Sequence, residues 1–368
     1  MLLTLLLLLP QTFTAERAPE WDAVFAQTSG WTGADGIYSI PLSSEELPNK
    51  WRVTDTLFVF SDTFWGDVDA NGNRSNPVMV NNTVGFLPRG SGADPQAIQF
   101  FSGSTAAQPA AMFVPTTPSI TPGEFYWLKD GITINGRTHI VAARMRTDPA
   151  PFHRYGISLI TLPAGDLPPF PNQIQRETPF WKDEQGNEGQ YSLGGAFLDL
   201  GAPDTIHPDG YVYVYGIRED VYNKKVIVAR VLRDDFEDFS KWRVFDGTQW
   251  VSGIGNAKTL CGRTSTEMSV TQLPNGRYLM VFMKDTISGI ISIRTAPSPE
   301  GPWGPIEDVY TVPPMNSLAF FTYHAKAHPH LSGRDGLLIS YNVNATDFWS
   351  HFTHAEIYRP RFIRLNLQ

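Results

Sequence analysis

Beyond residue 30 the apolar positions recur in short alternating runs bounded by Gly, Pro, Asn or Asp, a spacing that predicts strands rather than helices. The runs come in pairs. Residues 37–42 pair with 56–61, and 125–128 with 138–144 across Asn135-Gly136. Residues 195–200 pair with 211–217 across Pro208-Asp209-Gly210, and 268–273 with 277–283 across Pro274-Asn275-Gly276. The fifth pair is 324–331 with 337–342, across the turn that holds Gly333 and Gly336. Asn-Gly and Asp-Gly turns between alternating runs are strong hairpin signals, because both central residues tolerate positive φ.

The five first strands begin near residues 37, 125, 195, 268 and 324, on average about 72 residues apart. Runs at 155–162, 225–232 and 290–296 help fill the intervals, so the repeating unit holds about four strands. Such a unit predicts an all-β, single-domain five-bladed β-propeller over residues 30–368, with a jelly roll or paired sandwich as the alternative. The C-terminal run 358–367 alternates but contains Pro360, which suits an edge or outer strand. A partner for it near the N-terminus would complete the ring.

The chain has 368 residues, 42% hydrophobic, 12% aromatic and 18% charged, which excludes disorder and leaves ample material for a core. A net charge of −8 without any Lys/Arg stripe argues against nucleic acid as a partner. The single cysteine, Cys261, excludes an internal disulfide and reads as a buried small hydrophobe. Residues 1–15 open with a Leu-rich stretch too short to span a bilayer and read as a signal peptide, with Ala15 and Ala18 as cleavage candidates, although a positive leading segment is missing. The expectation is a secreted or periplasmic monomer without a membrane span.

In a blade, the start of the first strand and the end of the second meet on one face of the disc. Those positions hold Asp35 and Asp62 in the first pair, Arg218, Glu219 and Asp220 in the third, Glu267 and Asp285 in the fourth, and Tyr323, His324 and Asn342 in the fifth. Asp130 falls at the opposite hairpin end and is set aside. Two or three carboxyls around a pocket are what glycosidic cleavage requires: one protonates the leaving oxygen, and another attacks the anomeric carbon or activates water. Crowding raises one pKa and so divides the labour. Asp35 and Asp62 are flanked by Trp31, Tyr38, Phe64 and Trp65, and flat side chains suit the apolar faces of sugars. Trp65 and Trp349 are the aromatics expected to be exposed.

Residues 33–39 (GADGIYS), 57–64 (LFVFSDTF) and 80–83 (VNNT) resemble the opening of a family of secreted five-bladed propellers, long labelled a domain of unknown function, that includes mycobacterial endo-D-arabinanases. Residues 210–216 (GYVYVYG), 296–304 (APSPEGPWG), 325–331 (AKAHPHL) and 337–344 (LLISYNVN) extend the resemblance to nearly the whole chain. It implies the propeller fold, a carbohydrate substrate and an acidic pair that falls on Asp35 and Asp62, with Asn82 in the third matching segment. Ser61 stands where the family's pattern has Gly, a departure beside the key acid.

Glycosidase propellers more broadly place a third acid on a later blade, and Glu267 is its counterpart by position. His324 and His328, four apart, would share a strand face and could bind sugar hydroxyls, as could Arg144, Tyr323 and Asn342. Asp67, Asp69 and Asn71 are spaced as in a calcium loop, but Val78 occupies its twelfth position, so a solvated turn is favoured over a structural calcium ion. No cofactor is required. Serine-hydrolase, phosphate-loop and zinc-protease signatures are missing from the sequence. The expectation is a secreted glycoside hydrolase acting on an arabinan-like or related furanoside or pyranoside glycan; the alternative is a non-catalytic glycan-binding β-propeller.

Overall fold

The computed structural model describes residues 13–104, 108–148, 152–183, 189–220, 223–314, 319–333 and 336–367. Among them, α-helix is confined to Pro19–Val24 and Ser350–Thr353. The strands form five antiparallel sheets of four or more strands and one of three. Sheet I contains Tyr38–Pro41, Thr56–Phe60, Thr83–Leu87 and Gln99–Phe101. Sheet II contains Phe125–Ile134, Arg137–Arg146, His153–Leu162 and Ile174–Glu177. Sheet III is built on Gln190–Asp199, Tyr211–Asp220, Asn223–Leu232 and Arg243–Phe245, with a short strand added at each edge. Sheet IV holds Met268–Gln272, Tyr278–Met283, Ile290–Ala296 and Glu307–Thr311. Sheet V holds Phe320–Ala327, Leu337–Ala345, Arg361–Leu367 and Phe13–Arg17.

The period-2 alternation of each strand supplies two apolar faces, one for each neighbouring sheet. In sheet IV, Tyr278, Met280 and Phe282 pack against Ala196, Tyr215 and Val228 of sheet III. The intervening Leu279, Val281 and Met283 pack against Ala325, Ile339 and Ile363 of sheet V. Comparable clusters lie between sheets I and II and between II and III. A fifth joins Leu338 and Phe362 of sheet V to Phe58 and Phe60 of sheet I, with Trp21 and Phe25 filling between them. Five clusters therefore link the five sheets in a cycle, and the first strands of sheets I to V touch in succession.

One expectation needs correcting. The C-terminal strand Arg361–Leu367 is flanked on both sides, by Leu337–Ala345 and Phe13–Arg17, rather than lying at an edge. Pro360 precedes it and so removes no ladder hydrogen bond. Residues 1–12 of the expected leader lie outside the described residues, whereas Ala15 pairs with Leu365 and Ala18 is fully buried.

The three-stranded sheet was not foreseen: Ser29–Ala34 precedes the first strand pair of the chain, and Thr63–Val68 and Arg74–Val80 follow it. Bulges interrupt the first strands of sheets II, III and V: Lys129-Asp130 and His324-Ala325 each oppose a single residue, and Gly194-Gly195 are inserted opposite the adjacent residues Gly216 and Tyr215. Each bulge re-aims side chains where the sheets converge. Phe362 is fully buried and stacks on Phe25 with centroids 5.4 Å apart. Phe362→Ala is expected to destabilise the fold by ~3–5 kcal/mol through the cavity it leaves, measured by urea denaturation.

Candidate active site

A cavity of about 370 Å³ opens where the first strands converge, lined by residues of sheets II, III and V and of the loops flanking the strands of sheets I and IV. Asp35 enters it from the loop ahead of sheet I. The loop is tied to the residues following Thr56–Phe60 by Asp35 N–H donating to the Asp62 carbonyl (3.2 Å) and Ser61 N–H to the Asp35 carbonyl (2.9 Å). Gly36 has φ +63°, and a Cβ there would lie 2.7 Å from Ser61 Oγ, so the turn admits only glycine without strain. Asn342 Nδ2 donates to the Ala34 carbonyl at 3.0 Å and fixes the loop from sheet V.

The Asp35 carboxylate accepts hydrogen bonds from the Tyr323 hydroxyl (3.0 Å) and from Tyr358. Burial raises its pKa, and His324 with the two phenols opposes that rise. The Asp62 carboxyl sits beside it. Trp127 Nε1 (2.9 Å) and Asn81 Nδ2 (3.3 Å) both donate to its Oδ1, leaving Oδ2 to carry a proton. Burial and then repulsion from Asp35 push Asp62 up to about 7, against those two hydrogen bonds. Asp62 thus holds its proton to higher pH than an exposed carboxyl.

Glu267 faces the cavity just ahead of the first strand of sheet IV. His324 Nε2 lies 3.1 Å from Glu267 Oε2, and Gly36 N–H donates to His324 Nδ1 at 3.0 Å. A backbone N–H only donates, so the ring proton is on Nε2 and is directed to the carboxylate. Burial disfavours a charged imidazole, but Glu267 and Asp35 outweigh it and raise the His324 pKa. A second ring proton would have to displace the Gly36 contact. His324 holds this position from the bulge at φ +56°, an uncommon conformation for a non-glycine residue. Burial alone would raise Glu267, yet His324, with Lys224 and Lys129, brings it down to about 2. Carboxyls with raised pKa values thus adjoin one whose pKa is lowered.

Trp127 lines the same cavity and stacks on Phe152 with centroids 5.3 Å apart. Lys129, Arg154, Glu219 and Lys224 complete its charged wall. Adjacent to Lys129, Asp130 turns to a separate cavity of about 60 Å³, where it pairs with Lys326 at 3.1 Å.

Of the residues expected at the site, Asp35, Glu267, Tyr323 and His324 line the cavity, and Asp62 adjoins it through Trp127. The others are committed elsewhere. Trp65 is buried against the cluster between sheets V and I. Asn82, fully buried, donates to the Phe113 and Tyr126 carbonyls and accepts from Phe113 N–H. Arg144 lies against Tyr155, Ser119 and Glu177. His328 is fully buried between the Ser39 and Ser340 hydroxyls. Asn342 contributes by holding the Asp35 loop rather than by meeting the cavity. Trp349 is exposed but outside it, and Asp285 pairs with Arg263. Asp69 accepts from the Asn71 and Asn73 backbones and Asp67 from Ser29, the pattern of a capped turn. Among the described residues no cluster of three His, Cys, Asp or Glu is arranged to hold a metal ion. Nothing in the sequence marks Tyr358, Lys129, Arg154 or Lys224, and Trp127 falls in a run read only as a strand.

The profile of a family described as "Domain of unknown function (DUF5005)" matches residues 19–367. A search of curated protein sequences returns no match. Among solved structures, a candidate hydrolase from Bacteroides ovatus is similar, at 20% identity over 96% of this chain and 90% of that one, with a TM-score of 0.73. A levansucrase variant from B. megaterium is similar at 10% identity over 91% and 83%, with a TM-score of 0.50. A GH43_1 enzyme from Xanthomonas citri in complex with xylose aligns at 15% identity over 95% and 93%, with a TM-score of 0.46. At such identities a likeness speaks to fold alone.

The Asp62 shift has a measurable sign. An acid whose folded pKa lies above its unfolded value, here about 7 against 3.8, binds a proton in the folded state that the unfolded state has lost. Between those values stability therefore falls as pH rises, by up to ~1.4 kcal/mol per pH unit. Asp62→Asn should remove that slope, so chemical denaturation at pH 5 and pH 7 should show the variant gaining on the wild type at the higher pH.

Proposed function

The chain belongs to the DUF5005 family, and from that premise we propose that it is a secreted glycoside hydrolase, its five sheets the blades of a closed β-propeller. Phe13–Arg17, paired to the last strand of sheet V, acts as the clasp of the ring. The substrate is a poly- or oligosaccharide, with arabinan-like furanosides and related pyranosides as the classes to test. One observation carries the reading: Asp35 and Glu267 line one cavity, and Asp62 adjoins it through Trp127.

The roles follow from the hydrogen bonds. Asp62, with Oδ2 free, is the proton store and delivers to the leaving glycosidic oxygen. Asp35, which receives two tyrosine hydroxyls, is the carboxylate that attacks the anomeric carbon or takes the proton of an attacking water. Glu267 remains negative beside the ring and favours the positive charge that develops on it. Trp127 offers a flat face to a sugar ring at the same mouth. Tyr323 and His324 keep the two acidic loops in register, the first through Asp35 and the second through Gly36 and Glu267.

The test is a screen of arabinans, fructans and other glycans with the wild type, Asp35→Asn and Asp62→Asn. The wild type should release sugar, and each variant should lower kcat by ~10²–10⁴-fold. Asp62→Asn should recover most on aryl glycosides, whose leaving groups need no proton. Binding without turnover by the wild type across the panel would instead favour the non-catalytic glycan-binding propeller.

A further inference from the structure

Lys129 is 5% exposed, and its ammonium has no hydrogen-bond partner in the protein. Buried ammonium groups are almost always paired, so an unpaired one at a cavity wall calls for an acceptor from outside. Arg154 and Lys224 line the same wall. Both are served by one carboxylate, Glu219, at 3.4 Å from Arg154 and 2.8 Å from Lys224. Lys224 also donates to Thr266 Oγ1 at 2.6 Å, and Arg154 to Ser192 Oγ at 3.3 Å. The Arg154 Nε is buried without a partner. Three cations thus share one acid on this wall, and Glu267, engaged by His324, is the other carboxylate that they feel.

The wall is built into the sheets rather than carried on a mobile surface. Lys129 occupies the bulge of sheet II, and Arg154 and Lys224 stand at the starts of the third strands of sheets II and III. Burial, with Arg154 and Lys224 nearby, pushes Lys129 down to about 7, and Glu267 and Glu219 offset this only in part. A neutral sugar could offer the Lys129 nitrogen only a hydroxyl, whereas a carboxylate would supply an acceptor of opposite charge.

We propose that the cavity takes a sugar bearing a carboxylate, a uronic-acid unit of the glycan, with Lys129 and Arg154 holding its acid group. The inference rests on the reading of the cavity as a carbohydrate site and names the class of sugar it selects. Arginine can meet a carboxylate through two donors, and lysine adds a point charge.

The test compares binding of D-glucuronate with D-glucose, and of inorganic phosphate, by the intact protein and by Lys129→Met and Lys129→Arg. The wild type should prefer glucuronate over glucose by at least ~10-fold, the order expected of one desolvated charged hydrogen bond. Lys129→Met should reduce the preference to within about twofold, and Lys129→Arg should keep most of it. An unchanged melting temperature or a raised one in Lys129→Met shows that the loss is not unfolding. Equal or undetectable binding of the two sugars by the wild type, or a preference that survives Lys129→Met, overturns the proposal. Phosphate bound as tightly as glucuronate would mark a bare anion site and overturn the sugar assignment. If neutral glycans are hydrolysed while the glucuronate preference is missing, the hydrolase reading stands and this one fails.

Discussion

Where the first strands of the five sheets converge the carboxyls are largely buried, and each must find donors within the chain. An isolated buried carboxylate is costly, so each acid at the rim is held by donors from a different part of the chain. Asp35 draws on Tyr323 and Tyr358, Asp62 on Asn81 and Trp127, and Glu267 on His324. Because these donors come from sheets I, II and V and the C-terminal segment, satisfying the acids also fixes how the sheets meet. The chemistry of the rim and the closure of the sheet cycle are one problem.

His324 shows the coupling most clearly. Its ring accepts from Gly36, beside Asp35, and donates to Glu267, so loops from sheets I and IV are spaced by a residue of sheet V. The bulge that presents it holds a backbone conformation that a regular strand would not. The same device in sheet II separates Lys129 from Asp130 and sends them to different cavities. Bulges in the first strands of sheets II, III and V thus fall where function is proposed.

Much of this was legible in the sequence. The five strand pairs were visible because Asn135-Gly136, Asp209-Gly210 and Asn275-Gly276 mark turns that few other residues can make. Asp35 and Glu267 were found because each immediately precedes the first apolar run of its sheet. Bulges, however, leave no trace in an alternating pattern. His324 and His328 were expected on one face, but the extra residue at His324-Ala325 shifts the phase, and His328 turns into the core. Arg144 was placed at a strand end, whereas its strand continues to Arg146 and its side chain packs outward on Tyr155. Trp65 looked like a loop aromatic because the hairpin Thr63–Val68 with Arg74–Val80 was not recognised; there it pairs with Trp31 and is buried.

The central claim is that the rim cavity, and not another surface, is where a glycosidic bond is cut. A crystal structure with a thio-linked oligosaccharide that the enzyme cannot cleave tests it most directly. The account predicts the bridging sulfur within hydrogen-bond reach of the Asp35–Asp62 pair, with a sugar ring against Trp127. A chain seated instead at the smaller cavity beside Asp130 and Lys326, or on the outer faces of the sheets, would contradict it.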